Sequence, residues 1–305
     1  MLGAGASRHI PRFVRNEPSI VFTACNPKGE TTLQSAIAEA LSLKYNPVAV
    51  ILGDAKPENA LQFKKGRWGC VMFMFANAAK GRTAAFDAET YGCWGGGVGL
   101  GFGNSYLRFP GGVECFARFL SSGNIGWEKG KEVARGLEGA AGKEFMDNFL
   151  KGEGYVKTPE LVKQWLEELP ITEIKSTYLL FKPLGEVDFD REQPETVVFL
   201  VDPDQLSALV ILANYGREGM ENVIIPWAAG CQTVGILPYR EGRSPQPRAV
   251  VGLTDISARK YVRNLLGSEL LSFAVPREMF LEMEANVPGS FLERHTWRSL
   301  MDTEE

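Results

Sequence analysis

The sequence predicts an α/β or α+β fold, in which a mixed sheet is flanked by helices in one compact body. Short apolar runs of strand length alternate along the chain with longer segments that carry helix caps and helical periodicity. Hydrophobic residues make up 45% and charged residues 23% of the 305 residues, as in ordinary globular proteins. A chain of this length forms one large or two modest domains.

The first half of the chain begins with a helix and a strand. Thr31 to Leu43 has Thr31 and Gln34 at the spacing of a capping box, followed by apolar residues on one helical face. The β-branched run Val48 to Leu52 predicts a buried strand. Further elements are a strand at Thr83 to Phe86, a helix or strand at Cys70 to Ala79, one or two helices within Glu128 to Lys151, and a helix from Thr158 to Leu169.

The second half repeats strands followed by helices. Thr196 to Val201 predicts a strand that leads directly into Asp202-Pro203, an N-cap and first-turn proline, so that Pro203 to Tyr215 is predicted as a helix. Further elements are strands at Ser176 to Phe181, Arg248 to Leu253 and Leu270 to Val275, a helix capped by Asp255 or Ser257 that reaches Leu266, and a helix at Pro276 to Ala285.

The domain organisation has two interpretations. Both place an N-terminal extension at 1–30, a single domain at 31–297 and an acidic tail at 298–305. In one, the halves 31–125 and 176–297 are a duplicated unit joined by a helical segment, because Trp, Gly-Cys and Gly-Arg recur in the same order in each. In the other, the recurrence is ordinary α/β alternation. The recurring residues are Trp68, Gly69-Cys70 and Gly81-Arg82, and then Trp227, Gly230-Cys231 and Gly242-Arg243.

Charge and cysteine content limit the partners and the compartment. The 33 Lys and Arg against 37 Asp and Glu leave no basic excess for nucleic acid, so no nucleic-acid partner is expected. The longest apolar stretch, Cys70 to Ala79, is shorter than the roughly 20 residues that a helix needs to cross a bilayer. Five cysteines without a CxxC pair argue against a disulfide framework. We therefore expect a cytoplasmic protein without a membrane partner.

Histidine-based catalysis and nucleotide motifs are excluded. The two histidines, His9 and His295, lie near the chain ends, whereas catalytic triads and HExxH zinc sites need imidazoles inside a formed site. No register of the glycine-rich stretch satisfies GxGxxG. The segment around Gly142-Lys143 lacks both the first glycine and the Ser or Thr of a phosphate-binding loop.

The glycine-rich stretch Tyr91 to Gly103 has seven glycines in thirteen residues. Such density costs backbone entropy, so close approach or positive φ should be required there. One interpretation is a turn after a strand in which the amides of Gly95, Gly96 and Gly97 bind an anion or a cofactor. The other is that the glycines allow tight helix packing and Cys93 is a small buried apolar residue.

Three cysteines are candidate metal ligands. Cys70, Cys93 and Cys231 each follow a glycine and have a tryptophan nearby, whereas Cys25 and Cys115 lack this context and are expected to be packing residues. If duplicated units pack around a pseudo-twofold axis, Cys70 and Cys231 face each other and Cys93 completes the set. Three thiolates would select an iron–sulfur cluster, zinc or cuprous copper, and an iron cluster would keep one iron open. The alternative is three unrelated core cysteines.

A second candidate site lies where a strand leads into a helix. Asp255, Ser257 and Arg259 place an acid, a hydroxyl and a guanidinium at an edge where ligands bind in α/β sheets, and Arg259 could hold a carboxylate or phosphate. In the alternative, Asp255 and Ser257 cap the helix and Arg259 pairs with a local acid. The rival to a metal centre with redox or anaerobic chemistry is thus a non-catalytic protein that binds a small anion or cofactor, and a purely structural subunit is a third reading.

These residues also resemble a known family. Four short motifs, in their order along the chain, are similar to those of the uncharacterised ArCR family, also called domain of unknown function 169. They are Asn46-Pro47-Val48-Ala49-Val50; Cys70 with Ala79 and Gly81; Cys93 with Gly95 to Gly97 and Leu100-Gly101; and Gly252, Asp255 to Arg259 and Pro276. The resemblance spans Leu33 to Trp297. It implies a single α/β unit from archaea and bacteria, many of them anaerobic, and it implies no particular reaction.

Overall fold

The computed structural model describes residues 35–301 and confirms the α/β class. Within that range one mixed, open sheet of seven strands is flanked by helices, in the order β2-β3-β1-β4-β7-β6-β5. Only β5 and β6 run parallel to each other; the other neighbours are antiparallel. The strands are β1 Val48–Gly53, β2 Ala84–Phe86, β3 Tyr178–Pro183, β4 Pro194–Val201, β5 Val223–Ile224, β6 Ala249–Gly252 and β7 Leu271–Pro276.

The helices cover both faces of this sheet, and none of those described between residues 35 and 301 is long and apolar enough to cross a bilayer. They are α1 Ala36–Ala40, α2 Val71–Ala79, α3 Trp94–Gly99, α4 Gly112–Leu120, α5 Glu128–Leu137, α6 Lys143–Lys151, α7 Pro159–Glu168, α8 Pro203–Tyr215, α9 Gly230–Val234, α10 Ile236–Glu241, α11 Ile256–Leu266, α12 Arg277–Ala285 and α13 His295–Met301.

Most predicted elements are present, and the differences have physical reasons. The ambiguous run after Cys70 is helix α2, in which Phe73 and Asn77, one turn apart, are the least buried side chains. Helix α1 is shorter than predicted and begins after Ser35, whose hydroxyl accepts from the amide of Ala38. The predicted capping box of that helix, and the 1–30 extension, lie outside the described residues.

The predicted acidic tail is wrong at its start. Residues 298–301 belong to α13, which is anchored by the buried indole of Trp297. Its Nε1 donates a hydrogen bond of 3.0 Å to the carbonyl oxygen of Ala40. Trp297 lies directly before the charged end of the chain. A boundary placed by charge composition at residue 298 therefore falls about one turn before the end of α13. The four residues after 301 lie outside the described range.

The core has three parts. One sheet face packs against α1, α8, α12 and α13, and the other packs against α2, α9, α10 and α11. The third part is an aromatic cluster between α4, α5, α6 and α7, which also includes Val98 of α3 and Ile236 of α10. These four helices lie between β2 and β3 in the chain, so they form a helical insertion beside the second face.

Six of the strands form two sets of three that pair in the same register: β2, β3 and β1 in the first set, and β6, β7 and β4 in the second. Val48 of β1 lies opposite Pro183 of β3, and Thr196 of β4 lies opposite Pro276 of β7. The β2–β3 pair and the β6–β7 pair have matching register in the same way. β3 is therefore the middle strand of the first set, and β7 is the middle strand of the second. The predicted half 176–297 therefore begins too early, because it takes β3 away from the strands that it pairs with.

The two sets are related by a local twofold axis. When the two sets are aligned by these pairings, Thr196 is equivalent to Val48, and Val198 is equivalent to Val50. Val48 pairs with Val198, and Thr196 pairs with Val50, so exchanging β1 and β4 exchanges these two pairs. The axis passes beside Ala49, which lies between them.

Candidate functional site

The N-termini of four helices meet on the second sheet face. Helix α2 packs against α11, and α3 packs against α9. The twofold axis exchanges α2 with α9 and α3 with α11, so these two contacts are equivalent. Three predicted ligands lie here: Cys70 and Cys93 are the N-caps of α2 and α3, and Cys231 is in the first turn of α9. Asp255 is the N-cap of α11.

Cys93 and Cys231 both lie close to Gly95. A Cβ atom at Gly95 would be 3.8 Å from the Sγ atom of each cysteine. The Cys231 thiol donates a hydrogen bond of 3.1 Å to the carbonyl oxygen of Gly95. The Cys93 sulfur accepts one of 3.3 Å from the amide of Gly96. The two sulfurs therefore share one small volume at the start of α3.

Cys70 lies near Cys93 because the backbone segments before the two cysteines approach each other closely. Gly69 and Gly92, the residues before Cys70 and Cys93, contact each other directly, and a Cβ atom at Gly92 would overlap the carbonyl oxygen of Gly69. Gly92 also has a φ of +86°, which an L side chain rarely adopts. Glycine before each cysteine thus brings the two N-caps together, as the close-approach interpretation of these glycines requires.

Burial keeps the three thiols protonated near neutral pH. Desolvation raises the pKa of Cys70 to about 12, and repulsion from Cys93 adds to this shift. Burial is also the main cause of the raised pKa of Cys93. The pKa of Cys231 lies well above its ordinary value because of burial, followed by repulsion from the other two cysteines. Ionising any of these thiols therefore requires a compensating positive charge.

The sulfurs do not form a compact single-ion site as they are placed. Within residues 35–301, no three His, Cys, Asp or Glu side chains surround one point closely enough to hold a metal ion. Cys70 and Cys93 keep partial exposure, and Cys231 is buried. The arrangement is thus a group of neighbouring thiols at the surface of a helix junction.

Asp255 connects two of the helix N-termini. Its carboxylate accepts from the amide of Ser257 at 2.8 Å, within α11, and from the amide of Gly230 at 3.0 Å, at the start of α9. The hydroxyl of Ser257 is 2.9 Å from that of Tyr155. Asp255 therefore caps α11, as one of the two sequence interpretations predicts, and at the same time belongs to the cysteine site.

The guanidinium of Arg259 binds the protein's own backbone. Its guanidinium donates to three backbone carbonyl oxygens, those of Leu253, Leu270 and Ser268. These bonds fix the turn that enters α11 and the loop that enters β7. The local acid that the sequence suggested as a partner is replaced by carbonyl groups.

The glycine turn is used mainly for packing. The amide of Gly96 donates to the Cys93 sulfur, and the amide of Gly97 donates to the Cys93 carbonyl oxygen at 3.0 Å. A Cβ atom at Gly96 would be 2.8 Å from the side chain of Val71, and one at Gly97 would be 2.6 Å from the Cβ atom of Ser105. Two of the three predicted anion-binding amides therefore already have partners.

Two buried polar residues support the site and carry no sequence signal. The hydroxyl of Tyr106 is 3.7 Å from the Cβ position at Gly95 and accepts a hydrogen bond of 3.1 Å from Nε2 of Gln232. Oε1 of Gln232 accepts from the amide of Ala229 at 2.9 Å. Burial raises the pKa of Tyr106 well above its ordinary value, so its hydroxyl stays protonated.

Glu153 is a further carboxyl group beside the site. It lies on the segment between α6 and α7 and is partly buried. Burial raises its pKa to about 7, and repulsion from Asp255 and then Glu144 contributes. A carboxyl group that titrates near neutrality can accept or donate a proton there. No motif surrounds Glu153 in the sequence, because its surroundings come from the fold.

The remaining cysteines and histidines are elsewhere. Cys115 is buried in α4 against Gly111, in the aromatic cluster, as expected for a packing residue. His295 begins α13, on the other side of the sheet. Cys25 and His9 lie outside the described residues.

Comparison with known proteins gives one match. The model of a family described as uncharacterised ArCR, domain of unknown function 169, matches residues 36–286. This range includes most of the chain and every candidate site residue, and the chain belongs to this family. No curated protein matches the chain, and no solved structure does so either.

Proposed function

We propose that this member of the uncharacterised ArCR family binds an iron–sulfur cluster, or another thiolate-bound metal centre, through Cys70, Cys93 and Cys231. The observation that carries the proposal is that three thiols from separate parts of the chain lie together at adjoining helix N-termini. A cluster held by three protein thiolates keeps one iron available to another ligand, which suits redox or anaerobic chemistry.

The electrostatics of the site support a cation. Each thiol has a raised pKa, with burial as the main cause, and Cys70 and Cys231 are also raised by neighbouring cysteines. A soft metal replaces the protons and removes this repulsion. The Gly96 amide donates a hydrogen bond to the Cys93 sulfur, and hydrogen bonds to sulfur are among the groups that tune iron–sulfur clusters.

A single ion held by all three thiolates has less support than a cluster. Thiolates that share one tetrahedral zinc at about 2.3 Å lie about 3.8 Å apart. No such compact group is found within residues 35–301.

The alternative function, binding of a small anion or cofactor at Gly95 to Gly97 and Arg259, has less support. Two of the turn amides and the Arg259 guanidinium already bind groups of the protein. The carboxylate of Asp255 lies beside the same site and repels anions. A thermal-shift series with phosphate and carboxylates tests this alternative, which requires stabilisation that is lost in Arg259→Ala.

Metal analysis of the full chain tests the proposed function. The protein is purified without oxygen, reconstituted with ferrous iron and sulfide, and desalted before iron, sulfide and visible absorbance are measured. We expect bound iron and sulfide in the wild type and a loss of both in Cys70→Ser, Cys93→Ser and Cys231→Ser.

Cys115→Ser is the matched control, because it removes a buried cysteine outside the site. It should keep the iron content of the wild type. A folded wild-type protein that is colourless and free of metal after reconstitution would overturn the proposal.

A further inference from the structure

We infer that Asp255 is the fourth ligand of this centre, an oxygen donor that completes a set of three thiolates and one carboxylate. The inference rests on the proposed function and names a residue that the cysteine pattern does not reveal. It follows from the twofold relation between the two halves of the sheet, from the contacts of Asp255 and from its free acceptor capacity.

The twofold axis makes Asp255 the equivalent of Cys93. In the register of the sheet, Phe86 at the end of β2 is equivalent to Gly252 at the end of β6. After Phe86 the chain reaches Cys93, the N-cap of α3, and after Gly252 it reaches Asp255, the N-cap of α11. Both side chains cap their helix, through sulfur in one and through a carboxylate oxygen in the other.

The same axis makes Cys231 the equivalent of Cys70. Both cysteines lie at the start of the helical segment that precedes the outer strand of their set. This segment is α2 before β2, and α9 together with α10 before β6. Two related pairs therefore surround the axis, Cys70 with Cys231 and Cys93 with Asp255. One pair carries two sulfurs, and the other carries one sulfur and one carboxylate, so a single position of the two pairs differs in chemistry.

A direct contact places Asp255 beside the segment that carries Cys231. Its Oδ2 atom binds the amide of Gly230, the residue before Cys231. A Cβ atom at Gly230 would be 2.8 Å from Met72 of α2 and 2.8 Å from Ala258 of α11, so three helix N-termini meet at this point. Burial is the main cause of the raised pKa of each of the three thiols, and repulsion from Asp255 adds to it.

The carboxylate has capacity for a metal. Each oxygen of Asp255 accepts one amide hydrogen, and an ionised carboxylate has about four lone-pair positions. The two amide bonds hold it in one orientation, as hydrogen bonds from surrounding groups do for metal-ligating carboxylates. A carboxylate oxygen is a harder donor than a thiolate, so the iron that it binds should exchange its ligand most easily.

Two substitutions separate ligation from capping. Asp255→Asn keeps one oxygen that can cap α11 but loses the charge and the second oxygen, which now accepts from the amide of Gly230. Asp255→Cys supplies a thiolate, which at the equivalent position of Cys93 already caps α3. Asp202→Asn is the matched control, because Asp202 caps α8 through its carboxylate in the same manner and α8 packs on the opposite face of the sheet.

The experiment measures iron release from the reconstituted full chain to a chelator without oxygen, with circular dichroism as the check of folding. We expect release about tenfold faster or more in Asp255→Asn, slower release with an altered electron paramagnetic resonance spectrum in Asp255→Cys, and wild-type release in Asp202→Asn. Wild-type release and spectra in both Asp255 variants would overturn the inference and leave the proposed function intact. A wild type that binds no iron would overturn both.

Discussion

The thiol of Cys231 donates a hydrogen bond of 3.1 Å to the carbonyl oxygen of Gly95, and this bond joins helix α9 to helix α3. The two helices follow strands of different sets, so the bond connects the two halves that the twofold axis relates. It holds the buried sulfur of Cys231 beside that of Cys93. The candidate site therefore depends on the close contact of α3 and α9.

Gly99→Ala should weaken that contact. A Cβ atom at Gly99 would be 2.7 Å from Cys231 Sγ and 2.8 Å from the Cys231 backbone, so α3 and α9 would have to separate. We expect a loss of about 1–3 kcal/mol in the free energy of unfolding, measured by urea denaturation. Gly136→Ala is the control, because nothing lies within 4 Å of its Cβ position on exposed α5. Equal stability of the two variants would contradict the packing role of Gly99.

Tyr106→Phe should destabilise the protein because it removes the hydrogen-bond acceptor of Gln232. The substitution leaves Nε2 of Gln232, which is fully buried, without the hydroxyl that it now binds at 3.1 Å. A buried unpaired amide costs about 1–3 kcal/mol in the free energy of unfolding. Tyr215→Phe removes a hydroxyl from a half-exposed ring and should change the same quantity by less than about 0.5 kcal/mol. A neutral Tyr106→Phe variant would show that the Tyr106–Gln232 bond contributes nothing.

Glu153→Gln should change how the stability of the metal-free protein depends on pH. The pKa of Glu153 is about 7 in the folded state against an ordinary 4.5, so the folded state holds the extra proton between these values. The free energy of unfolding therefore falls as pH rises through this window, and the penalty is complete above about pH 7. At about pH 8 the variant should be more stable than the wild type by about 1–2 kcal/mol, after allowance for solvent screening.

Chemical denaturation at about pH 5 and about pH 8 measures this difference. The advantage of Glu153→Gln over the wild type should grow between the two conditions, because only the wild type has to ionise a partly buried carboxyl group. An advantage that is the same at both pH values would show that Glu153 ionises in the folded protein as it does in the unfolded chain.

Arg259→Ala should reduce stability without removing the centre. The substitution leaves three backbone carbonyl groups without the guanidinium that binds them. Hydrogen bonds to a charged group of this kind support a loss of about 2–4 kcal/mol, measured by thermal or urea unfolding. Arg263→Ala, on the exposed side of the same helix, is the comparison and should cost less than about 0.5 kcal/mol. Iron content per folded chain should be unchanged in both variants.

Local patterns in the sequence predicted most of the strands and longer helices. β1, β4 and α8 follow directly from apolar runs, Asp-Pro caps and closing glycines. The short helices α9 and α10 were not predicted, because five- and six-residue helices depend on packing more than on their own periodicity. α4, whose first turn has two glycines at positive φ, was not predicted either.

The candidate site was predictable only in part. The recurrence of Gly-Cys identified Cys70 and Cys231, because both halves kept the same residue types at equivalent positions. The equivalence of Cys93 and Asp255 was hidden, since the residues differ and the segment after β2 is longer than the one after β6. Tyr106 and Glu153 come to the site from the helical insertion, where no spacing in the chain relates them to the cysteines.

The most direct test of the three-thiol centre is cysteine alkylation mapped by mass spectrometry, in iron-loaded and iron-free protein. Cys70 and Cys93 are partly exposed and therefore report on binding, whereas buried Cys115 is the internal reference. We predict that iron lowers the alkylation rates of Cys70 and Cys93 together, and that it lowers neither in Cys231→Ser. Unchanged rates at Cys70 and Cys93 in iron-treated wild type would contradict the account.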